Sequence, residues 1–144
     1  MKRSLLVVGV VAAIIAAWSV GRVHGQNEMK KVIYVSSEQA KYTTSVKGVS
    51  SAKIWGDVDK GAGATFTKFD PGQDNGMHTH TSDVWIVVLK GAYLYKDDAG
   101  EKRVGPGDFL LVPGGHKHWS GGDAKVGALF YAESPGKFDL IPAK

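Results

Sequence analysis

The chain has 144 residues, of which 43% are hydrophobic and 22% charged, enough for one domain with a packed core. This composition excludes a disordered tail and a protein with many membrane spans. Because the chain has no cysteine, it also excludes disulfides, thiolate zinc sites, iron–sulfur clusters and a cysteine nucleophile. Any metal ion must therefore be held by histidine, carboxylate or backbone oxygen.

The amino-terminal residues have the pattern of a secretory signal. Lys2 and Arg3 precede an apolar stretch over residues 5–20, and a short polar segment with small residues follows. We expect residues 1–25 to be a signal peptide cut after Gly25, with an uncleaved amino-terminal anchor as the alternative. Residues 26–144 then form the folded domain, in the periplasm or secreted, and the membrane is a partner only if the segment stays uncleaved.

The formal net charge of +4 belongs mostly to this segment. Its removal takes away three basic residues and no acidic one, which leaves 15 basic residues against 14 acidic. No run of lysine or arginine interleaved with aromatic residues remains, so a footprint for a phosphate backbone is missing. We expect no nucleic-acid partner.

Short segments rich in β-branched and aromatic residues recur between Gly, Pro and Asp turns, while no long amphipathic helix is indicated. Asp97 to Gly100 predicts a hairpin turn, and residues 105–107 and 113–115 predict two more turns. The apolar run over residues 84–89 indicates a strand covered on both faces. The pattern predicts an all-β sandwich or barrel whose strands lie at residues 31–35, 52–55, 64–69, 84–89, 92–96, 101–104, 109–112 and 126–132.

Four histidines fall in two close pairs, His78 with His80 and His116 with His118. In a strand, residues two apart point to the same face, so His78 and His80 can present two imidazoles to one point. A third imidazole from another strand would complete a metal-binding set. An isolated pair of this kind on a solvated strand would bind nothing, so the interpretation depends on the residues around it.

The spacing around the two pairs resembles the two motifs of the cupin superfamily. The first motif, G-x5-H-x-H-x(3,4)-E-x6-G, is met at Gly72, His78, His80 and Gly91. The second, G-x5-P-x-G-x2-H-x3-N, is met at Gly107, Pro113, Gly115 and His118. The resemblance implies a single-domain jelly-roll (double-stranded β-helix) barrel, and its glycines are expected to serve turns that need positive φ.

Two positions depart from the cupin pattern. Val84 stands where the usual glutamate ligand would be, and Gly122 where the usual asparagine would be. By parity Val84 faces inward, whereas Asp83 is a further candidate ligand only if a bulge at residues 81 and 82 shifts the register by one. Without Asp83 the resemblance implies a site of three imidazoles, from His78, His80 and His118, and we expect His116 to be exposed in a turn.

The resemblance implies a divalent metal ion, with iron, manganese, nickel and zinc as candidates, and a small organic molecule as substrate or ligand. One hypothesis is a metal-dependent enzyme with dioxygenase-like oxidoreductase or Lewis-acid chemistry. The rival is a barrel that senses or carries a metal or small ligand without catalysis, and a third alternative is a metal-free scaffold with vestigial motifs. A polar, titratable group other than histidine inside the cavity would favour the enzyme.

Further residues are assigned by their place on the predicted strands. Glu133 is either a group facing the cavity or, as we expect, a solvated strand end, and the apolar segments at residues 84–89 and 126–132 would permit a homodimer. Candidates for lining a ligand pocket are one aliphatic and four aromatic side chains: Val84, Trp85, Tyr93, Trp119 and Tyr131.

Overall fold

A computed structural model describes residues 31–144, which contain strands and turns but no helix, and so no helix that could span a membrane. The predicted segment 1–25 and the domain boundary at residue 26 lie outside the described residues and stay predictions. The strands are β1 (Thr43–Val46), β2 (Val49–Gly56), β3 (Gly63–Phe69), β4 (Asp74–Thr79), β5 (Val84–Gly91), β6 (Tyr93–Asp97), β7 (Gly100–Val104), β8 (Phe109–Val112), β9 (His118–Gly122), β10 (Ala128–Ser134) and β11 (Ile141–Pro142).

The strands form two antiparallel sheets. The first has six strands in the order β1-β2-β3-β10-β5-β8, and the second has five in the order β11-β4-β9-β6-β7. Strands distant in sequence are thus neighbours: β10 lies between β3 and β5, and β9 lies between β4 and β6. This architecture confirms the predicted all-β jelly-roll barrel.

The core comes from side chains of both sheets that alternate with more exposed ones. On β5 the side chains of Val84, Ile86 and Val88 are buried, while the three residues between and after them are half-buried. The expectation that this strand is covered on both faces therefore holds fully for one face only. The rest of the central cluster is Phe69, Tyr93, Tyr95, Val104, Val112, Ala128 and Phe130.

The prediction of a strand at residues 31–35 is wrong. The segment is irregular and its apolar side chains are open to solvent, with Val32 98% and Tyr34 87% exposed. Within residues 31–144 the first strand is instead β1, a polar segment that pairs with β2, as in Thr43 opposite Ser51. A β-branched composition favours a strand only where a neighbouring strand is available to pair with it.

Four observed strands are not among the predicted ones. β4 and β9 consist mostly of polar residues and glycine, β1 is short and exposed, and β11 has two residues. β10 starts at Ala128 rather than residue 126, because residues 124–126 form a turn that ends at Gly127 with φ +61°. The other predicted strands are found with their ends shifted by a few residues.

The predicted turns are present. Asp97 pairs with Gly100 across the hairpin that joins β6 to β7. In the turn before β8 the Asp108 N–H donates to the Gly105 carbonyl, and in the turn after β8 the His116 N–H donates to the Pro113 carbonyl. All four motif glycines have positive φ, as expected: Gly72, Gly91, Gly107 and Gly115.

Candidate metal centre

Pairing of β4 with β9 brings two of the three histidines face to face. His78 on β4 lies directly opposite His118 on β9 in the antiparallel register. His80 follows two residues after His78, just past the end of β4, and so points to the same side. Residues 40 positions apart in the sequence thus meet because the jelly roll makes β4 and β9 neighbours.

The three imidazoles form one compact group. One nitrogen from each of His78, His80 and His118 lies within 4.8 Å of the others. The ring centroids of His78 and His118 are 4.3 Å apart, and that of His80 is 5.0 Å from the first and 5.2 Å from the second. All three side chains are buried, and none is more than 5% exposed.

Backbone carbonyls fix the tautomer of each ring. The Nδ1 atoms of His78, His80 and His118 lie 2.8, 2.5 and 3.0 Å from the carbonyl oxygens of Gly76, Asp139 and His116. Because a carbonyl only accepts, each Nδ1 must carry the proton and donate it. The lone pair of each neutral ring is therefore on Nε2.

Burial keeps these rings neutral. It is the main cause that lowers the pKa of His78, His80 and His118 below the ordinary histidine value, so at neutral pH they offer lone pairs rather than protons. Within residues 31–144, the Nε2 atom of His118 is the one buried side-chain nitrogen or oxygen without a hydrogen-bond partner. A buried acceptor without a partner is costly, and a metal ion is the partner that three converging imidazole lone pairs fit.

Two neighbouring candidates lie apart from this group. The Oδ1 atom of Asp83 accepts a hydrogen bond from the Gly114 N–H at 2.8 Å, and its carboxylate is not among the converging atoms. Residues 81–83 make the bend between β4 and β5 without shifting Val84 from its inward position. His116 is exposed, as expected, and its Nε2 lies 3.0 Å from the Asp97 carboxylate.

The histidines lie at one wall of a cavity of about 730 Å³ between the sheets. His78 and His80 reach its surface, and about half of the other lining residues are apolar or aromatic. Three of these are in mutual aromatic contact: Phe69, Tyr93 and Phe130. A cavity of this size accommodates a small organic molecule.

Polar groups in the cavity are mostly hydroxyls and one amide. Ser51 and Thr67 on β2 and β3 are in hydrogen-bond contact at 3.1 Å, and Thr67 contacts Thr65 at 3.0 Å. Near the histidines, Asn75 donates from Nδ2 to Ser120 Oγ at 3.0 Å. The cavity therefore offers both donors and acceptors to a ligand bound beside the imidazoles.

Tyr93 is the titratable group other than histidine that faces this cavity from the core. It is 3% exposed, and burial raises its pKa to about 12, so its hydroxyl holds its proton at neutral pH. A group in this state can donate a hydrogen bond to an oxygen of a bound ligand. Charged residues also border the cavity, at the end formed by β1 and β2: Lys41, Lys53 and Asp59.

Of the five pocket candidates named from the sequence, Val84 and Tyr93 line the cavity. Trp85, Trp119 and Tyr131 are not among its lining residues. Trp85 and Tyr131 alternate with inward residues on β5 and β10 and so share the outer face of the first sheet, while the indole N–H of Trp119 donates to Asp74.

Glu133 borders the cavity as well, but it lies two residues after Tyr131 on β10 and so its side chain points to the same, outer face of the sheet. Its carboxylate accepts the Tyr131 hydroxyl at 2.5 Å. The carboxylate therefore belongs to the outer side of the sheet, away from the imidazoles.

Sequence reasoning missed the residues that come to the cavity from other strands and from the carboxyl terminus. Ser120 follows His118 by two residues, so its parity could have indicated that it shares the inward face. Phe138, Asp139 and Leu140 have no such signal, because no motif relates this segment to β4. Their place at the site depends on the pairing of β11 with β4.

The fold and the site define a class of protein: a jelly-roll barrel with a buried three-histidine group that opens into an internal cavity. Residues 65–130 match the family model described as the cupin domain, a range that contains all three histidines. This match and the jelly-roll fold support membership of the cupin superfamily. A comparison with curated proteins finds no match.

Solved structures with a similar fold include proteins of different activity. The polyketide cyclase RemF from Streptomyces resistomycificus is 19% identical with a TM-score of 0.65, covering 79% of this chain and 87% of its own. An RmlC-like cupin from Shewanella frigidimarina is 21% identical with a TM-score of 0.59, covering 73% and 92%. A variant of the oxalate decarboxylase of Bacillus subtilis is 16% identical with a TM-score of 0.55, covering 78% and 32%. At these identities the likeness shows the fold alone.

Proposed function

We propose that the protein binds one divalent metal ion through the Nε2 atoms of His78, His80 and His118 and acts on a small organic molecule in the cavity beside it. The observation that carries this proposal is the unpartnered, buried Nε2 of His118 within a group of three neutral imidazoles whose Nδ1 atoms are all engaged. Iron, manganese, nickel and zinc all accept such ligands.

A bound ion would supply Lewis acidity toward a carbonyl or hydroxyl oxygen and, if it is redox-active, chemistry with dioxygen. The chain's own contribution is to orient the ligand and exclude water. The apolar side chains enclose its body, and Tyr93, Asn75 and Ser120 offer hydrogen bonds on the histidine side. The protonated hydroxyl of Tyr93 is suited to stabilise negative charge on a ligand oxygen.

The absence of a carboxylate from the histidine group affects which ligands it favours. Three neutral imidazoles leave the charge of a divalent ion uncompensated, because Val84 stands at the position where cupins usually have a glutamate ligand. We therefore expect the site to favour an anionic substrate or ligand and to hold its metal more weakly than a four-ligand site would.

The second candidate function is binding without turnover, as a sensor or carrier of a metal or small ligand. The nature of the polar lining favours it. Beside the histidines the cavity offers hydroxyls and one amide, whereas the carboxylate of Glu133 is turned to the outer side of the sheet and is not placed to act on a ligand there as a general base.

Elemental analysis by mass spectrometry of the purified protein, prepared without added metal or chelator, tests the metal site. We expect about one equivalent of a divalent metal per chain, and its loss in His118→Ala because one of three ligands is removed. His116→Ala is the matched control, since this histidine is exposed, lies two residues away and contributes only its backbone carbonyl to the group. It should keep the metal.

The identity of the metal decides the next step. Iron or another redox metal would be followed by oxygen-consumption assays with diketone, phenolic and thiol substrates, and zinc would point to Lewis-acid chemistry or a structural site. Ligand binding without turnover would support the second candidate. Absence of metal after reconstitution with each candidate ion would overturn the proposal.

A further inference from the structure

The carboxyl-terminal segment, residues 137–143, passes beside the histidine group and is held at both ends. The Phe138 N–H donates to the Val58 carbonyl at 2.7 Å, in the loop after β2 of the first sheet. Further on, Ile141 and Pro142 pair with β4 of the second sheet, and the Ala143 N–H donates to the Met77 carbonyl at 2.9 Å. We call residues 137–143 the terminal strap, because they tie one sheet to the other next to the site.

His80 depends on this strap in a way that the other two histidines do not. The carbonyls that accept from His78 and His118 lie only two residues earlier in the chain, at Gly76 on β4 and at His116 in the turn before β9. The carbonyl that accepts from His80 belongs to Asp139, which is 59 residues away. His80 also lies past the end of β4, so strand pairing does not fix its backbone as it fixes that of His78.

The side chain of Asp139 fixes the strap at this point. Its Oδ1 accepts the Thr81 N–H at 2.8 Å and its Oδ2 accepts the Thr81 hydroxyl at 2.7 Å. Both oxygens are thus engaged by the residue that follows His80. On the other side, the ring of Phe138 lies against that of His80, with centroids 5.0 Å apart.

We propose that Asp139 is a positioning residue for the metal centre: its carboxylate, held by Thr81, fixes the strap so that its carbonyl orients His80 with Nε2 toward the other two histidines. This inference rests on the proposed metal site. The partners behind metal-ligating histidines set the ring orientation and tautomer, and their loss commonly weakens metal binding about 10- to 100-fold.

Binding of Co²⁺, followed by its visible absorption and by competition with a chelating dye, tests the inference. We expect Asp139→Ala and Thr81→Val to bind Co²⁺ at least about tenfold more weakly than the wild type, with an altered spectrum. Thr81→Ser keeps the hydroxyl and should restore both the affinity and the spectrum. Asp98→Ala removes an exposed carboxylate in the β6–β7 turn and should behave as the wild type.

A double-mutant cycle separates positioning from a general loss of structure. If Asp139 acts through His80, Asp139→Ala should weaken Co²⁺ binding in the wild type but have little further effect in His80→Ala. Equal effects in both backgrounds, or unchanged Co²⁺ binding in Asp139→Ala, would overturn the inference.

A measurement without metal distinguishes this failure from that of the proposed function. In the metal-free protein, ¹⁵N NMR should show His80 protonated at Nδ1 in the wild type and in a mixture of tautomers in Asp139→Ala. Failure of the wild type to bind Co²⁺ would count against the metal site, whereas an unchanged His80 tautomer in Asp139→Ala would count against the role of Asp139.

Discussion

Gly91 and Gly107 both have the left-handed backbone conformation, with φ of +72° and +86°, but their surroundings differ. A Cβ atom at Gly91 would lie 2.2 Å from the backbone oxygen of Gly127 and 3.2 Å from the Cα of Ala128, where β5 meets β10. A Cβ atom at Gly107 would have nothing within 4 Å. One glycine is needed for both conformation and space, the other for conformation alone.

Gly107→Ala should therefore reduce the free energy of unfolding by about 1–2 kcal/mol, the cost of a left-handed alanine. Gly91→Ala should reduce it by at least about 3 kcal/mol, because strand backbone must also move apart. Urea unfolding of the two variants beside the wild type measures the difference. Equal decreases in the free energy of unfolding would show that the close approach of Gly91 to Gly127 does not add to the cost of the substitution.

At the scale of the element, β5 decides which residues face the site. It alternates Val84, Ile86 and Val88 inward with half-buried residues outward, and it begins at Val84 directly after the bend that follows His80. The same alternation turns Asp83 away, and its carboxylate hydrogen-bonds Gly114 instead. The register of one strand thus leaves the imidazole group without a carboxylate.

Val84→Glu tests this register. A carboxylate at this inward position should raise the affinity for Co²⁺ at least about tenfold, since it adds an anionic ligand, and it should destabilise the metal-free protein by about 2–4 kcal/mol because it is buried without a partner. Val87→Glu, on the outer face of the same strand, is the control and should leave Co²⁺ affinity unchanged. Isothermal titration and urea unfolding give the two quantities.

The sequence predicted those parts of the fold and site that depend on local spacing. Parity placed Val84 inward, and the motif spacing picked out the three histidines that the structure brings together. Composition predicted a first strand at residues 31–35, where no neighbouring strand pairs with the chain, instead of at β1. It did not predict β4 and β9, because these polar strands are stabilised by pairing between segments that are distant in the chain. The contact of Asp139 with His80 could not be predicted, since it depends on the path of the strap.

At the scale of the whole molecule, the outer face of the six-stranded sheet carries apolar side chains in adjacent positions. Val87 lies opposite Phe109 on β8 and opposite Tyr131 on β10, and Trp85 lies opposite Leu111. Phe109 is 63% exposed and Leu111 44%. Contiguous exposed apolar surface of this kind is typical of an interface, so a homodimer formed through this face stays our prediction.

Leu111→Glu should shift such a dimer to monomer, because it places a charge on the apolar face that the partner would cover. Val126→Glu is the matched control, since Val126 is 62% exposed but lies in the turn before β10. Sedimentation equilibrium over a range of concentrations measures the association. A wild type that is monomeric throughout this range would contradict the prediction.

The three carbonyls that fix the histidine tautomers have a consequence for how the protein can evolve. Each acceptor belongs to the main chain, at Gly76, His116 and Asp139, so no replacement of a side chain can delete it. A homologue could replace the side chain of His116 and still present the same nitrogen to the centre, as long as the chain path is kept. Asp139 also holds the strap through its carboxylate, and Gly76 has a φ of +67° that favours glycine, so these two positions should vary less. An insertion or deletion of one residue near any of them would instead move a carbonyl out of reach, so length variation should be rarer there than in the exposed β6–β7 turn.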